Sequence, residues 1–254
     1  MRRSTQRRLP NSLQKSFNQT SDIRIALGWA REKLGDLNGP GIFVSEANTE
    51  RFIEAFVTDD SFSFTMDSGF IYGHAYGPNP HIDPRWGKCA VAFSNFGPKF
   101  GHLEIANQFD TYGVDTKVIP GFETIEELKD DELINNILDT HAPTSSTYPG
   151  NPEIIQWGCV RNEAGEVSAI GALVRWSSGS YVISSVATVE SQRGKGYATE
   201  LVKRFISKTH QLGVETLSLG VSHKNIAAIN AYKRAGMSEI AQFTNYLKPG
   251  FQSN

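Results

Sequence analysis

Six residues, Arg193-Gly194-Lys195-Gly196-Tyr197-Ala198, separate two incompatible hydrophobic patterns. Before them, residues 181–189 are rich in β-branched and apolar side chains and read as a strand. After them, Ala198, Leu201-Val202 and Phe205-Ile206 fall on one helical face, with Glu200, Lys203, Arg204 and Lys208 opposite. The strand must pass directly into the helix through a turn holding two glycines. Amides at a helix N-terminus have no helical acceptor, and the helix dipole favours negative charge in front of them. Gly194 and Gly196 let the backbone approach a ligand, while Arg193 and Lys195 add positive charge. The stretch is a phosphate cradle.

The rest of the composition narrows the setting. A formal net charge of −2 argues against a nucleic-acid surface as the main business of the chain. No apolar run approaches the roughly 20 residues that cross a bilayer, so no membrane partner is expected. Residues 1–21 are basic, with Arg2, Arg3, Arg7, Arg8 and Lys15, and no apolar segment follows them. They read as a solvated tail and not as a secretory signal. Cys89 and Cys159 are far apart, which predicts reduced thiols and a cytoplasmic chain, acting as monomer or homodimer. His74, His81, Asp83 and His102 are irregularly spaced around prolines, so no metal site is expected.

Along the first part, 22–34 has a helical stripe, Gly39-Pro40-Gly41 is a turn and 42–45 a short strand. Residues 51–57 fit helix or strand, 61–72 a hairpin, and the proline-rich 76–86 a surface loop. From 88 a strand, a helix over 101–112, a strand over 116–119 and a helix over 124–140 are predicted. This makes 22–140 an α/β domain. Residues 141–152, rich in Pro, Ser, Thr and Gly, are the expected linker to a second domain, 153–254. That second domain reads β-β-β-α-β-α-β, with strands at 154–160, 167–176, 181–189, 216–221 and 237–247 and helices after the cradle and over 225–235. Trp157 and Trp176 fall on its first hairpin, as core or groove wall.

A P-loop needs a longer spacing and a closing Lys-Ser/Thr, which 193–199 lacks. A dinucleotide fingerprint or a kinase glycine loop needs a third glycine, and Ala198-Thr199 occupies that place. Arg-Gly-x-Gly-x-Ala at a strand–helix junction is followed instead by a strand and then Asn225-x-x-Ala228-x-x-x-Tyr232-x-x-x-Gly236-Met237. In this order, over about 154–247, the chain resembles the GNAT superfamily of acetyl-CoA-dependent N-acetyltransferases. The resemblance implies a mixed, mainly antiparallel sheet flanked by helices, here preceded by the second α/β domain.

It further implies that amides from Arg193, Gly194, Lys195, Gly196, Tyr197 and Ala198 hold the pyrophosphate of coenzyme A, with a hydroxyl from Thr199. The strand ending at Val189 should splay from 216–221, and the pantetheine arm should pair with backbone of Ala187, Thr188 and Val189. Asn225 and Ala228 are assigned to that arm, and Tyr232 to the thiol as general acid. Asn225 is equally a helix N-cap. Asn225 and Tyr232, seven apart, share a helix face about 10 Å apart along its axis.

An amine nucleophile must lose a proton, yet 181–189 contains no Asp, Glu or His. Glu190 just beyond it is either a solvated loop residue or a functional carboxylate. A water chain or a residue of the first domain is the other source of a base. The first domain is either unrelated or a degenerate copy of the same fold that shapes the substrate pocket. Its glycine pair, Gly97 and Gly101, carries Pro98 where an amide would serve.

The expected activity is transfer of the acetyl group of acetyl-CoA to a primary amine of a small molecule or amino-acid derivative, by direct attack in a ternary complex. Peptide or protein amines, or a longer acyl chain, are the alternatives among enzymes. An acyl-CoA sensor without turnover is the alternative outside them.

Overall fold

In the computed structural model, described over residues 17–34, 50–92, 99–118, 123–176 and 179–251, one 13-stranded sheet runs through the molecule. The strands are β1 (Asn18–Thr20), β2 (Phe52–Val57), β3 (Phe62–Asp67), β4 (Ile71–Tyr76), β5 (Lys88–Ala92), β6 (Lys99–Phe100), β7 (Leu103–Asp115), β8 (Glu126–Glu127), β9 (Ile154–Arg161), β10 (Val167–Arg175), β11 (Tyr181–Thr188), β12 (Thr216–Ser222) and β13 (Ser238–Leu247). The described helices are α1 (Ile23–Leu34), α2 (Asp131–His141), α3 (Tyr197–Gln211) and α4 (Ile226–Arg234).

Across the sheet the order is β1-β2-β3-β4-β5-β13-β7-β12-β11-β10-β9-β8, with β6 paired to β7 off this path. Strands β4 and β5 are parallel, as are β11 and β12; every other pair is antiparallel. Read outward from the central β13–β7 pair, the succession of strand directions is therefore the same on both sides. The closing strands are exchanged: β7 lies beside β12, and β13 beside β5. Each supplies core to the other half. Tyr112 of β7 packs with Leu201, Phe205, Leu219 and Tyr232, whereas Ala241 and Phe243 of β13 pack with Phe62, Phe64 and Tyr76.

The helices follow from local signals. Asp130 caps α2 by accepting from the Leu133 amide at 2.9 Å, and Ile134, Ile137 and Leu138 form its buried stripe. In α3 the buried residues are Leu201, Val202, Phe205, Ile206 and Thr209, at helical spacing. Helices α3 and α4 cover one face of the C-terminal sheet, and α2 closes a second core with Trp157, Cys159 and Val182.

Several expectations are corrected. Residues 101–112, expected as a helix, are most of β7. Its apolar residues Leu103, Ile105, Phe109 and Tyr112 mimic helical spacing, and 104–108 are exposed on both faces of the strand, so no alternation of buried and exposed positions marks it. Residues 116–119, expected as a strand, begin with a 3-10 turn, Thr116–Val118. The acidic helix starts at Asp131, after the short β8 that pairs with β9. Residues 18–20 form β1 on β2 and so are not tail, while 51–57 is the strand β2. Residues 141–152 are no spacer between two bodies. His141 to Ser146 line a groove of the C-terminal half, and the Thr147 amide and hydroxyl bond Ser185 and Ser184. The expected tail residues 1–16, the turn at 39–41 and the strand at 42–45 lie outside the described residues.

Candidate functional site

Strands β11 and β12 share a single registered pair, Val182 with Ser218, and then diverge. Their counterparts β4 and β5 stay paired from Tyr72–Lys88 to Tyr76–Ala92. The divergence opens a groove of about 930 Å³, walled by both strands, the first turn of α3, α4 and residues 141–146. Just past β11 the Val189 amide donates to the Ser168 carbonyl of β10 at 3.0 Å. Because successive backbone groups alternate in direction, those of Thr188 face the groove. The Thr188 carbonyl accordingly accepts from Arg193 Nε, on that side, at 3.4 Å.

The strand also carries a bulge where Ser185 has φ 51°, in the left-handed region that disfavours a residue with a Cβ. Hydroxyls hold it there. The Thr147 amide donates to Ser185 Oγ at 3.1 Å, Ser185 donates to the Thr147 carbonyl at 2.8 Å, and the Thr147 and Ser184 hydroxyls are 2.7 Å apart.

At the cradle, Gly196 is the N-cap of α3 with φ 93°, and Gly194 has φ 77°. Both turns need left-handed backbone, and an added Cβ would meet open space, so conformation and not crowding selects glycine here. The first helical bond runs from the Glu200 amide to the Gly196 carbonyl at 3.0 Å, which leaves the amides of Tyr197, Ala198 and Thr199 without helical acceptors. The Arg193 amide is committed to the Glu190 carbonyl at 3.2 Å, so the usable donors begin at Gly194. The Arg193 guanidinium also donates to the His141 carbonyl at 3.0 Å, tying the end of α2 to the cradle. Lys195 donates to Gln192 at 3.0 Å and does not line the groove. Thr199 gives its hydroxyl proton to the Ala231 carbonyl at 3.2 Å; the hydroxyl joins α3 to α4 and is not a donor left for a phosphate, so only the Thr199 amide remains.

Ala187, Thr188, Arg193, Gly194, Gly196, Tyr197, Ala198, Thr199, Asn225, Ala228 and Tyr232 all line the groove. Val189, Lys195 and Glu190 do not. Glu190 is exposed on the 3-10 turn Glu190–Gln192. Asn225 caps α4, its side chain accepting from the Ala228 amide at 3.2 Å. Tyr232 is buried, and burial pushes its phenol up to about 12.

The sequence reading missed Phe109 and Thr111, which reach the groove from β7, and Arg234 at the end of α4. It also missed the pair formed by buried Asp110 and His223, whose Nδ1 lies 3.0 Å from both carboxylate oxygens. Nothing near 109–111 in sequence marks a groove wall, since the strand exchange alone brings it there. The Ser184-Ser185 pair inside an otherwise apolar strand was the one local signal for the bulge.

A parallel strand pair that opens beside a glycine turn at a helix N-terminus defines an α/β fold with a groove suited to a long, partly anionic ligand. Residues 123–237 match the model of the Acetyltransferase (GNAT) family, and this part of the chain is a GNAT acetyltransferase domain. None of the curated proteins matches the chain. Among solved structures it is similar to a GCN5-related N-acetyltransferase from Sphaerobacter thermophilus, with 14% identity, TM-score 0.53, and 93% of this chain and 98% of that one covered. It is similar to a GCN5-related N-acetyltransferase from Kribbella flavida at 14% identity and TM-score 0.53, covering 85% and 98% of the two chains. An acetyltransferase of the GNAT family from Colwellia psychrerythraea shows 12% identity and TM-score 0.50, with 92% and 99% covered. The shared fold thus takes in most of the N-terminal half. Among the described residues no helix is long and apolar enough to cross a membrane, and no three His, Cys, Asp or Glu side chains are grouped to hold a metal.

Proposed function

We propose that the chain transfers the acetyl group of acetyl-CoA to a primary amine by direct attack. The observation that carries this reading is the opening of β11 from β12 onto the cradle. It offers amides for a pyrophosphate at one end and, at Thr188, groove-facing backbone outside the β11–β12 ladder for the pantetheine amides, its carbonyl held only by a long 3.4 Å bond from Arg193. The residues fit acetyl-CoA as substrate: amides from Gly194 to Thr199 for the pyrophosphate, Thr188 for the arm, and Tyr232 facing the thioester end.

In the reaction the amine lone pair forms the N–C bond, the C–S bond breaks, and the amine proton leaves to water. Tyr232 serves the departing sulfur. Burial holds the Tyr232 proton more tightly than an ordinary phenol does, which makes the group a better hydrogen-bond donor than proton source. The phenol therefore stabilises the thiolate by a hydrogen bond, and solvent supplies the proton. No acyl-enzyme is needed: Cys159 is packed in the α2 core, its thiol pushed to about 11 by burial.

The N-terminal half, in this reading, is a degenerate copy of the same fold. The matching strand directions support it, as does the link from β4 to β5, which carries no helix where α3 stands in the other half. Its parallel strands do not open, and it makes one wall of the groove through Phe109 and Thr111. The acceptor is a small molecule or an amino-acid derivative.

Calorimetry with acetyl-CoA tests the core of the reading. Wild type should bind, and Gly196→Glu, which sets a carboxylate at the anion site, should lose binding while still unfolding cooperatively, at a temperature lowered by the left-handed backbone there. Undiminished binding by a folded variant would overturn the assignment. A second reading, binding without turnover, is favoured by the lack of a carboxylate among the described groove-lining residues; thiol release with amine acceptors decides between them.

A further inference from the structure

Strand β12 lines the groove with both of its faces. Leu219 and Val221 point into the core under α3 and α4, together with Tyr232. Ser218, Gly220 and Ser222 alternate with them and so look to the opposite face of the sheet. All five line the same groove, which is therefore a slot through the sheet and not a trough on one side of it. Register fixes its narrow end. Val182 and Ser218 form the single pair of β11 with β12, and the strands part just beyond them. Two residues on stand Ser184 and Gly220, both lining the opening, with Thr111 of β7 directly beside Gly220 in the next ladder.

Gly220 is a glycine that the fold does not require. It lies inside a strand, where glycine weakens the element. Its backbone is not in the left-handed region, so torsion does not select it. Crowding does not select it either. A Cβ on Gly113 or Gly158 would lie 2.1 or 2.3 Å from an isoleucine side chain, whereas a Cβ on Gly220 meets no described atom within 4 Å. What the missing side chain leaves is room at the narrow end of the slot. A strand glycine of this kind suits a place where a ligand approaches the backbone closely.

We infer that Gly220 sets the size of the acyl group this chain accepts, and that acyl groups of up to four carbons fit as well as acetyl. The inference rests on the acetyl-CoA reading and extends it from the donor to its acyl range. With the pyrophosphate at the cradle, the pantetheine arm runs along β11 from Thr188 towards the point where the strands part. The acyl group is the portion that reaches Ser184 and Gly220. Beyond Gly220 the groove is lined by Thr111 and Phe109, which offer a methyl and a ring to an aliphatic tail.

Calorimetry on the full chain tests this with coenzyme A, acetyl-CoA and butyryl-CoA. Free coenzyme A carries no acyl group and reports the cradle and the arm alone. Wild type should bind butyryl-CoA no more than about threefold more weakly than acetyl-CoA. Gly220→Val puts a β-branched side chain, well suited to a strand, into open space, so the variant should fold and keep its affinity for coenzyme A within about twofold. Its affinity for butyryl-CoA should fall by about tenfold or more, and for acetyl-CoA by less. Gly220→Ala should show the same order with smaller losses. A wild type that discriminates against butyryl-CoA by more than this overturns the inference, and so do variants that weaken all three ligands alike or none of them. If wild type binds none of the three, the donor reading itself fails; if it binds coenzyme A and acetyl-CoA, that reading stands whatever position 220 does.

Discussion

Tyr232 is the residue whose environment says most about its chemistry. It is nearly enclosed in the α3–α4 core, and burial alone raises its phenol to about 12. Tyr232→Phe keeps the packing and removes one hydrogen-bond donor, so kcat should fall tenfold or more while acetyl-CoA affinity by calorimetry stays within twofold. The sign of the pH effect is fixed. A folded value above the ordinary 10 means that the native state holds this proton more tightly than the unfolded chain. Its contribution to stability is complete below pH 10 and is lost as pH rises towards 12. A pH–rate profile for wild type should therefore show no limb from this phenol near neutrality. Arg193 and Thr199 teach the converse: their sequence pattern suggested ligand contacts, and part of each side chain is spent tying elements together.

At the scale of elements, the bulge in β11 and residues 142–148 form one unit. Ser185→Ala leaves the backbone at φ 51° but removes both hydrogen bonds to Thr147, a loss of about 1–3 kcal/mol at a half-buried site. Thermal unfolding should report that loss, and amides around Thr147 should exchange faster than in wild type. The cradle was legible because its signals are local: two glycines, a basic pair and a change of hydrophobic period lie within a few residues. The caps were legible for the same reason, Asn225 among them. Strand β7 was not. Its Leu103, Ile105, Phe109 and Tyr112 spacing fits a helix, and what makes it a strand is ladder pairing with β13 and β12, both more than 100 residues later in the chain.

For the whole molecule, the exchange of β7 and β13 makes the halves interdependent. Phe109 of one closing strand and Phe243 of the other stack with centroids 4.8 Å apart, and each core contains residues from the other half. A protease site placed between residues 118 and 123 should accordingly yield two fragments that co-elute on gel filtration under native conditions and part only in denaturant. Fragments that separate without denaturant would show that the exchanged strands contribute little.

What the sequence determined by itself was one end of the groove: the cradle, the helix it opens, the strand that feeds it, and Tyr232 on the same helix face as Asn225. These rest on torsional preferences and on periodicity over a dozen residues, which chain order preserves. Tertiary structure alone decided the opposite wall of the groove. Phe109 and Thr111 reach the groove from more than 100 residues before Ser218, through pairing of β7 with β12. Residues 141–146, whose composition reads as a linker, become a wall because α2 docks on the sheet and Thr147 bonds the bulge. Pairing register between distant strands is set by the burial it achieves, and that quantity belongs to the assembled fold and to no single stretch of chain.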